Sequence, residues 1–117
     1  MANVERLLDF ALAFPGAVEE HPWGETVAKV NKKIFVFFGG GGMSVKLPDS
    51  AGQALMVEGA QPTGYGLGRS GWVSVPVRGR AVPIAVLRDW IEESYRTVAP
   101  RRLVAELDER AGGVRSH

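Results

Sequence analysis

Residues 26–47 read TVAKVNKKIFVFFGGGGMSVKL, three apolar runs separated by two short polar or glycine breaks. Thr26–Val30 is rich in β-branched residues, and Asn31-Lys32 forms a short turn into a second run, Lys33–Phe38. Gly39–Gly42 makes a flexible, sterically bare hairpin tip. In the third run Met43, Val45 and Leu47 alternate with Ser44 and Lys46, so one face is buried and the other is wet. Links this short join antiparallel strands, because a parallel pair needs a crossover of a dozen or more residues. The segment is therefore a meander, and the fold class is α+β rather than α/β.

Helices are expected on either side of the meander. Val4, Leu7, Leu8 and Ala11 recur at helical spacing, with Asn3 as cap and Glu5 in the favourable first turn. Phe14-Pro15-Gly16 stops that helix. Residues 19–24 then read as a polar loop with one aromatic anchor, Trp23. After the meander, Pro48-Asp49-Ser50 opens a short helix through Glu58, with Ala51, Ala54, Leu55 and Val57 inward and Gly59 as terminator. Residues 60–71 hold five helix-breaking residues and read as loop. A fourth strand, Trp72–Val77, turns Val73, Val75 and Val77 to one side, and Pro76 marks an edge position or an early strand end. Arg78-Gly79-Arg80 is a turn. Pro83 opens the strongest helix, where Ile84, Leu87, Ile91, Tyr95 and Val98 make a single apolar stripe. Pro100 opens a last helix with Leu103, Val104 and Leu107 inward. The expected architecture is a small antiparallel sheet, a meander plus a later strand, with helices packed on one face. It forms a single domain over residues 1–111, followed by a flexible tail at 112–117.

Composition bounds the function. A chain of 117 residues with 45% apolar content supports one core and leaves little room for a second domain. It has no cysteine, which removes disulfides, thiolate metal sites and cysteine nucleophiles and suits a reducing cytoplasm. No run approaches the roughly 18 apolar residues of a membrane span. Asp9 interrupts Leu7–Phe14 and no small-residue cleavage site follows, so no signal peptide is read. The formal net charge is only +1, but it is segregated. Residues 1–25 carry a net −4, residues 26–88 a net +6 and residues 89–117 a net −1. Such a division can create a local positive field that the total conceals.

The familiar chemical motifs fail on context. Gly66–Gly71 matches G-x-G-x-x-G, but a strand follows it where a dinucleotide site needs a helix start. Gly39–Gly42 lacks the Gly-Lys-Ser/Thr ending of a phosphate loop. Glu19, Glu20, His21 and Glu25 read as a solvated acidic loop rather than a cation site. His117 sits in the tail, and no Ser, His and Asp spacing suggests a triad. A non-enzymatic protein without metal or cofactor is expected.

Pleat parity supplies the one positive feature. With Val73, Val75 and Val77 inward, Trp72 and Ser74 point out; with Met43, Val45 and Leu47 inward, Ser44 and Lys46 point out. Continued across the sheet, Ile34, Val36 and Phe38 are expected inward and Phe35 and Phe37 outward, while Lys29 points out opposite Ala28 and Val30. The outer wall would then combine Lys29 and Lys46 with Phe35, Phe37 and Trp72. Cations interleaved with flat rings suit a nucleic acid or a planar ligand. The competing reading folds loops 18–25 and 60–71 over this face as a second small core. A covered aromatic face would make a small-molecule pocket, with Trp23, Phe35, Phe37 and Trp72 lining it.

Several segments resemble the MmcQ/YjbR family of small bacterial proteins. They are the opening helix with Phe14-Pro15-Gly16-Ala17, then His21-Pro22-Trp23-Gly24, Lys33-Ile34-Phe35-Val36, Leu47-Pro48-Asp49, Gly71-Trp72-Val73 and Ser94-Tyr95. Together they cover roughly residues 5–107. The resemblance implies an α+β fold of the frataxin/CyaY type and DNA binding through a double-wing arrangement of hairpins. The wings would be Asn31-Lys32-Lys33 and Arg78-Gly79-Arg80, with Lys29, Lys46 and Arg69 on phosphates and Trp72 stacking or wedging. One namesake of the family belongs to an antibiotic gene cluster, so drug binding or resistance is a second implication. Apart from the resemblance, the polarised surface leaves a non-catalytic protein-interaction module as a further alternative. The family brings no catalytic residues to carry across. Its members often place a basic or histidine residue before the strand tryptophan, where this chain has Gly71. Frataxin-like iron binding would fall to Glu5 and Asp9, and two carboxylates are too few for a site. Oligomeric state stays open.

Overall fold

The computed structural model describes residues 2–64, 67–77 and 82–115. Helix α1 (Ala2–Leu12) leads into strands β1 (Ala17–Glu20), β2 (Thr26–Val30), β3 (Lys33–Gly39) and β4 (Gly42–Lys46). A short helix α2 (Ala51–Ala54), the two-residue strand β5 (Gln61–Pro62) and strand β6 (Trp72–Pro76) follow, then helices α3 (Ile84–Val98) and α4 (Arg101–Arg115). The strands form one sheet in the order β1-β2-β3-β4-β6-β5. Every neighbouring pair is antiparallel, which makes the α+β reading correct.

Turn chemistry fixes the meander's register. Asn31 and Lys32 both adopt positive φ (51° and 68°), and Gly40 and Gly41 do the same at the second hairpin (60° and 80°). Two successive left-handed residues give the turn whose twist matches that of the flanking strands. At Gly42 a Cβ would lie 2.7 Å from the Val75 carbonyl oxygen, so only glycine lets β6 pair this closely with β4.

Two segments read as loop are strands. Ala17–Glu20 pairs with β2 at one edge, where a wet strand tolerates its two glutamates. Gln61–Pro62 pairs with Val73 and Ser74, so β5 rather than β6 forms the other edge. Pro76 ends its strand, opposite Gly42. Helix α2 stops at Ala54 instead of Glu58. Helix α4 runs to Arg115, into the segment expected as a flexible tail.

The helices pack on one face. Leu7 and Ala11 of α1, Leu87, Trp90, Ile91 and Tyr95 of α3, and Leu103 of α4 share a core with Val36, Phe38, Val45, Val73 and Val75 of the sheet. Phe14 stacks on Tyr95 with ring centroids 4.6 Å apart, and Phe35 meets Tyr95 edge-on at 5.2 Å. Such pairs add about 0.5–1.5 kcal/mol beyond their buried area.

Phe35 in that core corrects the pleat expected from sequence. Ala28 pairs with Val36, but Lys29 pairs with Ile34, so β3 carries one extra residue, Phe35, against β2. This bulge reverses the alternation at its N-terminal side. Phe35 is fully buried among the helices, and Ile34 turns to the outer face. The bulge also opens the ladder between β3 and β4. The buried hydroxyl of Ser94 fills the gap, donating to the Phe35 carbonyl at 2.5 Å and accepting the Lys46 N–H at 2.9 Å.

Its neighbours in α3 anchor two further segments. The Glu93 carboxylate accepts the Asp49 and Ser50 N–H groups at 2.9 and 3.0 Å and the Ser50 hydroxyl at 2.6 Å. The Tyr95 hydroxyl donates to the Pro15 carbonyl at 2.6 Å. Arg96 pairs with Glu92 and reaches Asp108 of α4, both at 2.9 Å. Among the described residues no helix is long and apolar enough to cross a membrane.

Two predictions rest on these anchors. Ser94→Ala leaves two buried backbone groups without their partner, each worth about 1–3 kcal/mol, so chemical denaturation should show a loss of about 2–4 kcal/mol. A loss under about 0.5 kcal/mol would mean that the ladder closes without the hydroxyl. Burial, and secondarily the charge of Glu106, raises the Tyr95 pKa above its ordinary 10.0. The unfolded chain therefore ionises first, and the contribution of this hydroxyl is complete below pH 10 and is lost as pH climbs through the native value. Tyr95→Phe should cost about 1–2 kcal/mol at pH 7. Between pH 9 and pH 11 it should lose less stability than the wild type, as read by urea midpoints; equal slopes would refute the assignment.

Candidate functional site

The face of the sheet away from the helices carries a concavity of about 780 Å³. Its floor is Ile34 and Phe37 of β3 and Trp72 of β6, with Ser44 of β4 between them. Thr63, Gly64 and Leu67 form one wall, held where the Thr63 N–H bonds the Trp72 carbonyl at 3.0 Å. Lys29, Lys32 and Lys33 close the other side. Long lysine stems can line an apolar groove while their ammonium groups stay in water.

Register explains this gathering. Lys46 lies opposite Trp72, and Ser44 lies opposite both Phe37 and Ser74, so these residues share the outer face. Val27 and Lys29 project to the same side, beside Glu20 and Val18 of β1. Ser44, Ser74 and Thr63 link their hydroxyls in a chain of 2.8 and 2.9 Å bonds, so the middle of the face is polar but uncharged. A shallower hollow of about 390 Å³ shares Phe37 and Ser44 and continues over Gly39–Gly42.

The expected site residues divide accordingly. Lys29, Lys32, Lys33, Phe37 and Trp72 come together at the groove. Lys46 shares the face by register. Arg69 is exposed in a tight turn, Leu67–Ser70, beside the wall. Phe35 is not at the site, because the bulge turns it into the core. Arg78 and Arg80 lie outside the described residues, as does the side chain of Trp23. Neither expected covering holds in full: Thr63, Gly64 and Leu67 wall the groove, whereas Ala17–Glu20 extends the sheet sideways. Ile34 and Leu67 were not expected at the site. Only the bulge exposes Ile34, and β3 contains no internal glycine or proline to signal it.

Charge at the groove is uneven. Lys29 forms an ion pair with Glu20 at 2.9 Å, and Glu19 pairs with His21 at 2.8 Å. Among the described residues neither Lys32 nor Lys33 forms an ion pair, and no carboxylate lines the groove. The groove mouth at the Asn31–Lys33 turn is thus positive.

The Asn31–Lys33 turn and Val77 lie at opposite ends of the sheet. Trp72 and Lys46 share the end occupied by Asn31–Lys33, whereas the Val77 N–H bonds the Gly41 carbonyl at 3.1 Å at the opposite end.

A family model described as YjbR matches residues 12–97. The chain belongs to the YjbR family. Its fold is similar to that in the crystal structure of the Deinococcus radiodurans protein DR2400, which carries a DUF419 domain. The two are 22% identical, with a TM-score of 0.71 over 90% of this chain and 87% of that one. No match was found among curated proteins. Within this YjbR domain, Gly71 adopts φ 88°, and its carbonyl accepts the Leu47 N–H at 2.8 Å. A side chain there would be strained, which accounts physically for glycine where a basic residue was expected.

Lys32 occupies a left-handed turn position that favours glycine. Lys32→Gly should therefore raise stability by about 0.5–1 kcal/mol by urea denaturation. A destabilised variant would show that the lysine side chain supports the turn.

Proposed function

We propose that this YjbR-family chain is a binding protein rather than an enzyme, and that it takes a flat ring system in the outer-face groove. The observation that carries the reading is the combination of Ile34, Phe37 and Trp72 left accessible on a concave floor. All three are half-buried and contiguous, and a contiguous apolar patch rimmed by polar residues marks a binding site. A hollow of about 780 Å³ falls within the range of small-molecule sites. The rings offer stacking, the wall at Leu67 offers apolar contact, and the lysines offer a charged rim. The chain's lack of cysteine supports a reducing, cytoplasmic setting for this binding.

DNA binding is the second reading, favoured by the shared outward face of Lys29, Lys32, Lys33 and Lys46. Two observations weigh against a strong duplex interaction. Glu20 already holds Lys29, and the formal net charge of the chain is only +1. Three or four phosphate contacts would give a modest affinity with a salt slope of about −3.

Tryptophan fluorescence separates the two. Planar aromatic compounds should quench the Trp72 component with little change between low and high salt, and Trp72→Phe should remove that response. An oligonucleotide duplex should bind more weakly and lose affinity steeply with salt. Tight duplex binding at about 50 mM salt, with no response to any planar compound, would reverse the assignment.

A further inference from the structure

We infer that the ligand of this groove is an aromatic organic anion, bound with its acidic group at the Asn31–Lys33 turn and its rings over Phe37 and Trp72. The inference rests on the ring-binding reading above and adds the ligand's charge and orientation.

Three observations carry it. First, the groove is polarised: among the described residues all its charged lining residues are cationic, and all three belong to the β2–β3 hairpin. The opposite wall is Thr63, Gly64 and Leu67, none of them charged, with Arg69 exposed beside it and not lining the groove. A neutral planar molecule would leave that concentration of charge unmatched, whereas a carboxylate, sulfonate or phosphate would complement it. Second, the hydroxyls at the centre already bond one another. They use two of their three protons on one another and carry no charge, so the ligand's charge is matched only at its lysine end. Third, Lys32 is held at φ 68°, where glycine is favoured. Backbone strain of this kind persists where the residue serves a site, and here it carries a cation to the groove mouth.

The ion pair between Lys29 and Glu20 sets the sharing of work. Lys29 has its charge balanced by Glu20, while Lys32 and Lys33 are exposed at the turn. An incoming anion therefore meets Lys32 and Lys33 first, and Glu20 opposes it by proximity to the same cluster.

A matched pair of fluorescent probes tests this. 1-Anilinonaphthalene-8-sulfonate and N-phenyl-1-naphthylamine share their ring system and differ by the sulfonate. Both should bind the full chain, and Phe37→Ser should weaken both, which locates them in the groove. The sulfonate should bind about tenfold more tightly at low salt, an advantage that shrinks as ionic strength rises. Lys32→Gln combined with Lys33→Gln should abolish that advantage and leave the neutral probe within about twofold of its wild-type affinity. Glu20→Gln should tighten the sulfonate about two- to threefold and leave the neutral probe unchanged. Equal affinity for the two probes in the wild-type chain would overturn the anion inference and leave the ring-binding reading in place. Failure of both probes, or binding indifferent to Phe37→Ser, would overturn the ring-binding reading itself, and the inference with it.

Discussion

One hydroxyl joins the two layers of this molecule. Ser94 is fully buried in α3, and its oxygen stands between the Phe35 carbonyl and the Lys46 N–H. Without a bulge those two backbone groups would pair directly in the ladder between β3 and β4. With it they would be orphaned in a low-dielectric interior, where an unmade hydrogen bond is expensive. The hydroxyl can donate and accept at once, so a single side chain satisfies both. The bulge is tenable because α3 delivers that group to that point.

The outer face follows from the same contact. Once the bulge is held, Phe35 belongs to the aromatic cluster with Phe14 and Tyr95. Ile34 then faces outward beside Phe37, adding an apolar residue to the groove floor. The residues flanking Ser94 extend its control. Glu93 fixes the Asp49–Ser50 turn after β4, and Tyr95 fixes the Pro15 carbonyl before β1. Three consecutive residues of one helix thus locate the end of a hairpin, the interior of the sheet and the exit of α1. The sheet they hold has one face closed by helices and one left partly open. Charge divides in the same way, with the lysines on the open side and Glu92, Asp108 and Glu106 of α3 and α4 paired with arginines of those helices.

Much of this was legible in the chain. The alternation of Met43, Val45 and Leu47 and the short breaks around Lys33–Phe38 specify an antiparallel meander, because strand period and loop length are local properties. The apolar stripe of α3 names Leu87, Ile91 and Tyr95 as core, and all three are fully buried. The shared outward side of Lys29, Lys46 and Trp72 follows from parity alone and holds in the fold. Residues 17–20 and 61–62 gave no such signal. Two-residue and wet edge strands lack alternation, and only a neighbour's unpaired backbone makes them strands.

Phe35 and Ile34 mark the boundary between the two kinds of information. Side-chain alternation is an intrinsic period of extended backbone, so sequence alone determines the meander strands, the long helices and which side most of their residues take. A bulge breaks that period by one residue, and nothing in Lys33-Ile34-Phe35-Val36 shows where. Its position is settled by a hydroxyl 59 residues further along the chain, brought there only when α3 packs on the sheet. The tertiary structure alone decided which ring joins the core and which apolar side chain faces the groove, because that choice depends on satisfying two backbone groups from a distant helix.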